Sequence, residues 1–256
     1  MRILPLMLTA FLGMSCAAKK MAAKNADILI ENQIEKRMPL YTAQKKALAK
    51  DVDAFLRDQK EFAKEALPAL SSVELNSDKV DSQYDHLDQI YRKLAVNFSK
   101  LMSKYMALLD EKQQKDFHIN LEAENKSLAR VEGSERMEKI YDRFETVLGS
   151  ISDEQKTILE AHKPYLDERY SVRLKRREAL HAKFREIYQL DLSPTSRTQY
   201  FADAFSQYQN SYPDNAKNKE ILKQLIPTLS SRQKGELKER VNDLKEIIGY
   251  YLETDY

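Results

Sequence analysis

The stretch VDSQYDHLDQIYRKLAVNFSKLMSKYMALLD, residues 80 to 110, decides the fold. Its apolar positions are Val80, Tyr84, Leu87, Tyr91, Leu94, Phe98, Leu101, Tyr105 and Leu108. They alternate in steps of four and three, the spacing that keeps one seam of an α-helix against a neighbouring helix. A strand needs period two, and no part of the chain sustains that alternation.

Working outward, Leu237, Val241, Leu244, Ile248 and Tyr251 repeat the seam near the C-terminus. Phe201, Phe205, Tyr208 and Tyr212 form an aromatic stripe at helical spacing, and Met137, Ile140, Tyr141, Phe144, Val147 and Leu148 make one more apolar face. Stripes of this kind are core-facing. Pro39, Pro68, Pro164, Pro194, Pro213 and Pro227 fall between the periodic stretches, where helices are expected to begin or stop. Gly149 suits a helix C-terminus, where a left-handed residue is least costly as glycine. The expectation is an all-α bundle of about eight helices without a sheet. A main bundle over 37–190 and a C-terminal helical subdomain over 191–256 would meet at LDLSPTS, residues 190 to 196.

A short pattern opens several of these helices. It reads LDEKQ at 109–113, ISDEQ at 151–155 and LSSRQ at 229–233, with a looser copy, LYTAQ, at 40–44. Physically this is a capping box. Asp110, Ser152 and Ser230 accept from N–H groups of the first turn, and Gln113, Gln155 and Gln233 reach back to the cap residue's own N–H. Leu109, Ile151 and Leu229 tuck the incoming chain into the core.

The first sixteen residues, MRILPLMLTAFLGMSC, run from one positive charge through an apolar stretch to small residues and the single cysteine. That is the order of a secretory signal over 1–15, and the apolar run is too short to span ~30 Å of hydrocarbon. The residues before Cys16 resemble a lipobox, the bacterial site at which diacylglycerol is attached to cysteine. Ser15 fits the small residue before the cut, and Gly13 departs from the leucine usual there. The alternative is an ordinary signal-peptidase site ending at Ala18. A lone thiol in an oxidising compartment has no intramolecular partner, which favours lipidation. Two or three acyl chains such as palmitate on one residue would suffice for stable anchoring. Residues 16–36 would then be a lipid-attached segment and first helix, with Lys19, Lys20 and Lys24 close to the headgroups.

Composition excludes more than it assigns. The 256 residues carry 42 cations against 40 anions, a balance that gives no footprint for nucleic acid. The chain is 32% charged with five glycines and no tryptophan, which suits long solvated helices. The glycines after the leader are isolated, so neither a Walker loop nor a dinucleotide turn exists. No serine sits in a nucleophile elbow. Glu178 and His181 are the only Glu-x-x-His pair, whereas a bundle di-iron site needs two, and a single pair reads as a surface contact. His118 and Glu122 lack the second histidine of a zinc helix. The expectation is a non-enzymatic protein with no metal and no cofactor. One basic run, ERYSVRLKRRE at 168–178, places Arg169, Arg173 and Arg176 on one helical face. It is either a solvated face paired with Glu168 and Glu178 or a contact for a phosphate-rich or acidic partner.

Two resemblances rest on these residues. The helix-opening pattern is similar to the L-T-x-x-Q repeat of periplasmic helical proteins of the spheroplast protein Y type, which include an envelope-stress chaperone. The chain as a whole resembles a family of all-helical bacterial lipoproteins that pair a lipobox with an N-A-D-x-L segment and helices opened by L-[ST]-x-x-Q. Here NADILIENQI occupies 25–34 and ERMEKIYDRFETVLGSISDEQ occupies 135–155. The likeness covers roughly residues 16 to 190, and the family's tryptophans are absent, with Phe55 and Phe62 in their place. It implies an outer-membrane lipoprotein facing the periplasm, since Ala17 stands where aspartate would retain it in the inner membrane. The soluble periplasm is the alternative. The implied role is a binding or scaffold protein with a protein or envelope-component partner. The more distant likeness implies a holdase-type chaperone.

Overall fold

The computed structural model describes residues 16–131, 133–211 and 215–256. Among them are eleven α-helices and no strand. In chain order they are α1 (Cys16–Lys24), α2 (Ala26–Glu35), α3 (Thr42–Ser71), α4 (Val80–Ala107), α5 (Glu111–Ala129), α6 (Gly133–Leu148), α7 (Asp153–Ala161), α8 (Lys163–Gln189), α9 (Pro194–Asn210), α10 (Ala216–Leu225) and α11 (Ser231–Glu253). Short 3₁₀ turns at Ser77–Lys79 and Ile226–Thr228 lead into α4 and out of α10. The signal segment and Pro213 lie outside the described residues, as does Tyr212.

The all-α class is as expected, but the count of about eight is too low. Additional breaks fall at Asn25 and at Arg130–Val131, where no proline announces them, while the break at His162 comes two residues before Pro164, which opens α8 as expected. Pro68 is a second correction. It lies inside α3, in the final turn, where the single backbone bond it removes is near the helix end. Gly149 does cap α6 in the left-handed region, with φ +75°.

The 80–108 seam forms one continuous helix, α4, against which α3 and α9 pack. Its second half is the buried one: Phe98, Met102, Tyr105 and Met106 are in the core. Around Tyr84, Leu87, Tyr91 and Leu94 the helix is half-buried. The seam ends one step early, because α4 stops at Ala107 and tightens through Leu108 N–H to Tyr105 O at 3.2 Å. Leu108 is thereby turned out, 45% exposed, and Leu109 goes in.

Two hydrophobic clusters form the core among the described residues. The larger joins α2, α3, α4, α5, the end of α8 and α9. Phe184 is its hub, with ring centroids 5.5 Å from Phe201 and 5.1 Å from Phe205, both edge-on, the arrangement aromatic quadrupoles favour. The smaller cluster holds Met137 and Ile140 of α6, Leu159 of α7, and Ile221 and Leu225 of α10, with the start of α8 against it. The link at 190–193 is therefore a helix boundary, not a division of the core: Phe201, Phe205 and Tyr208 beyond it share the first cluster with residues before it. α10 serves the second cluster, and α11 lies along α1, α3 and α6.

Candidate functional site

The four helix-opening copies converge in two pairs. In three of them the capping box forms as expected: Asp110, Ser152 and Ser230 accept from the N–H of Gln113, Gln155 and Gln233 at 2.9, 3.2 and 3.2 Å. Each glutamine Oε1 accepts in return from its cap residue's N–H, at 3.1, 2.9 and 2.9 Å. In the looser copy only the return bond is made, Tyr41 N–H to Gln44 Oε1 at 2.8 Å, while the Tyr41 hydroxyl donates to Asp110 at 2.9 Å. That hydroxyl and the Gln113 N–H hold the Asp110 carboxyl below its ordinary value, the backbone bond being the stronger cause.

The capping-box reading did not anticipate the pairing itself. Gln155 and Gln233 exchange reciprocal amide bonds, Nε2 to Oε1 at 3.1 and 2.8 Å. Gln44 and Gln113 do the same at 3.3 and 2.7 Å. The remaining donor of each amide reaches a carbonyl two residues before the partner's cap. Gln155 takes Thr228 O at 3.3 Å and Gln233 takes Ser150 O at 3.0 Å. Gln44 takes Leu108 O at 3.0 Å and Gln113 takes Pro39 O at 2.7 Å. Every donor and acceptor of the four carboxamides is thus used. Leu40, Leu109 and Leu229 are buried beside the pairs, and Ile151 is half-buried. A sequence signal for this did exist. A capping box needs only an acceptor at its third position, which glutamate supplies, yet all four copies carry glutamine, whose extra donors need a partner.

A surface cleft of about 330 Å³ borders the first pair, lined by Met38, Leu40, Tyr41, Lys45, Lys112 and Asp116 among others. Lys45 is already paired with Glu35 at 2.5 Å.

The arginines of the basic run are half-buried and make contacts within the chain. Arg169 donates to the Tyr165 hydroxyl at 2.8 Å and lies over its ring. Arg176 donates to Ser211 Oγ at 3.1 Å and to the Tyr208 carbonyl, with its guanidinium 4.4 Å from the Tyr208 ring centre. Arg173 is half-buried and also engaged. Arg176 thereby ties α8 to the end of α9, while the Arg169 contact lies within α8.

His181 is buried, not a surface contact, while Glu178 faces solvent, so the pair does not converge. A polar chain surrounds it: Arg37 and Arg177 both pair with Glu124 at 2.9 and 2.8 Å, Arg177 donates to Asn125 Oδ1 at 2.8 Å, and Asn125 Nδ2 meets His181 Nδ1 at 3.0 Å. Since Arg177 occupies the Asn125 oxygen, the amide donates to Nδ1, and the imidazole proton sits on Nε2. A cavity of about 40 Å³, room for a water and no larger ligand, adjoins the ring. Burial first, then the Arg177 charge, pushes His181 down to about 3. His118 is lowered by burial and packs edge-on against Tyr188, with Glu122 directed to Arg185 at 3.4 Å. Among the described residues no group of three or more His, Cys, Asp or Glu is placed to hold a metal ion.

Of the lysines expected at the headgroups, Lys19 is elsewhere. It is 6% exposed and paired with Asp243 of α11, itself 5% exposed, with Glu246 at 3.2 Å. The Asp243 hydrogen bond, opposed by burial, raises the Lys19 pKa and keeps it charged. Lys20 and Lys24 are exposed. No family model, no curated protein and no solved structure matches the chain.

Proposed function

We propose that the protein is a lipid-anchored, non-catalytic component of the bacterial envelope, held by Cys16 in the outer membrane and facing the periplasm. There the bundle serves as a binding or scaffold protein. The observation that carries this reading is the order of Met1–Cys16: one charge, an apolar run, small residues, then the only cysteine. Two features support it. The residues that follow Cys16 are helical and packed on the bundle, and no helix among the described residues is long and apolar enough to cross a membrane. Membrane extraction tests it: Cys16→Ser is expected to move the protein from the detergent-soluble to the aqueous fraction. Wild type already in the aqueous fraction would overturn the anchoring.

A holdase role is the second reading, supported by the cleft beside the first glutamine pair and by exposed Tyr41 and Leu108 next to it. It predicts suppressed aggregation of an unfolding client at near-stoichiometric ratio, weakened in a Tyr41→Ser, Leu108→Ser variant. No suppression by the wild type would remove it.

A further inference from the structure

Helix α1 is fastened to α11 along its length, and the two run parallel. Lys19 meets Asp243 and Glu246, Lys20 lies over the Tyr250 ring at 5.8 Å, and the Tyr256 hydroxyl donates to the Ala23 carbonyl. The helical hydrogen-bond ladder continues into α2 through Asn25, whose N–H bonds Met21 O at 3.0 Å and whose carbonyl accepts from Leu29 at 3.1 Å. Ala23, Ile30 and Ile34 occupy the inner side. From Cys16 onward the described chain is helical with no slack before the bundle, so an anchor on Cys16 holds the bundle at the bilayer, not at the end of a flexible leash.

The outer side carries Lys20, Met21, Lys24 and Ile28, one helical turn apart or adjacent. Met21 is 65% and Ile28 50% exposed, and both lysines are exposed. From Cys16 to Ile28 this edge spans about 18 Å of helix at 1.5 Å per residue. Residues 16 to 24 contain Lys19, Lys20 and Lys24 and no acidic residue, whereas Asp27, Glu31 and Glu35 follow. With Lys19 paired inward to Asp243 and Glu246, Lys20 and Lys24 carry the outward positive charge of this segment.

We propose that this edge is a second membrane contact. Lys20 and Lys24 sit among anionic headgroups, and Met21 and Ile28 enter the headgroup–acyl boundary. The bundle is then held at a fixed orientation, α1 and α2 against the lipid and α11 behind them. Charge complementarity and the position of Cys16 on the same helix select a lipid surface as the occupant. The proposal rests on the Cys16 anchoring above, and the experiment separates the two.

Acylated full-length protein carrying Met21→Cys, Ile28→Cys or Tyr200→Cys is labelled with a polarity-sensitive dye; Tyr200, 46% exposed on α9, is the control. On vesicles containing anionic lipid, the dyes at 21 and 28 are expected to blue-shift and to be quenched by a lipid-borne quencher, unlike the dye at 200. Equal quenching at all three positions would overturn the oriented contact while leaving the anchor intact. Burial of the 21 and 28 labels in concentrated protein without vesicles would also overturn it, marking the edge as a contact between copies. Unacylated Cys16→Ser protein supplies the arm independent of the anchor. Its partitioning onto the same vesicles should fall roughly thirtyfold in Lys20→Gln with Lys24→Gln, and by a similar factor in high salt. Partitioning unchanged by the two substitutions would contradict the proposal even if Cys16 is acylated in cells.

Discussion

A glutamate at position 233 would still cap the Ser230 N–H but has no hydrogen for the Ser150 carbonyl or the Gln155 side chain. The glutamine supplies both, and at 3% exposure it does so out of water. Gln233→Ala removes these bonds and leaves the Gln155 amide half-satisfied, so a cost of about 2–4 kcal/mol is expected in chemical denaturation. Adding Gln155→Ala should then cost much less than it does alone, because the two act as one unit. Gln233→Glu should be destabilised more at neutral pH than at pH 4, where a protonated carboxyl can again donate. His181 sets a second residue-scale expectation. Burial and Arg177 hold it neutral down to about 3, whereas the unfolded chain takes up that proton near 6.5. Unfolded protein binds more protons between those values, so the His181 contribution to stability is complete above pH 6.5 and is lost as pH falls toward 3. The slope approaches about 1.4 kcal/mol per pH unit for one proton. His181→Gln should flatten that acid limb in denaturation curves taken from pH 7 to pH 4; an unchanged slope would exclude His181 as its source.

At the scale of elements, Lys19 and Asp243 decide whether α1 belongs to the bundle. With Asp243→Asn, Lys19 keeps its charge but loses the carboxylate that compensates its burial. Since α1 packs chiefly on α11, amide exchange in residues 16 to 24 should speed up while α4 and α9 remain protected. Unchanged exchange in α1 would show that apolar packing alone holds it. Much at this scale was legible beforehand. The 80–108 spacing foretold α4, the aromatic stripe foretold α9, and three capping boxes appear where the L-[ST/D]-x-x-Q pattern put them. The breaks at Asn25 and at Arg130–Val131 were not, because no proline marks either. The roles of Arg169 and Arg176 were also hidden. Spacing places them on one face, and only the structure shows that Arg169 meets Tyr165 and Arg176 meets Tyr208.

Across the whole molecule, the two glutamine pairs tie distant parts of the chain: residues 40–44 to 109–113 beside the larger core, and 151–155 to 229–233 beside the smaller. Helix periodicity cannot reveal such long-range pairings. That is why a subdomain over 191–256 was expected where the structure instead distributes α9, α10 and α11 over both cores and the N-terminal helix. The same folding-back of α11 onto α1 joins the proposed anchor rigidly to the body. Everything functional in this account follows from that anchor, so the most direct test is the intact mass of the protein purified from the cells that make it. The account predicts a chain beginning at Cys16 and carrying the mass of a diacylglyceryl thioether with further acyl chain. An unmodified Cys16, or an N-terminus at another residue, would contradict it.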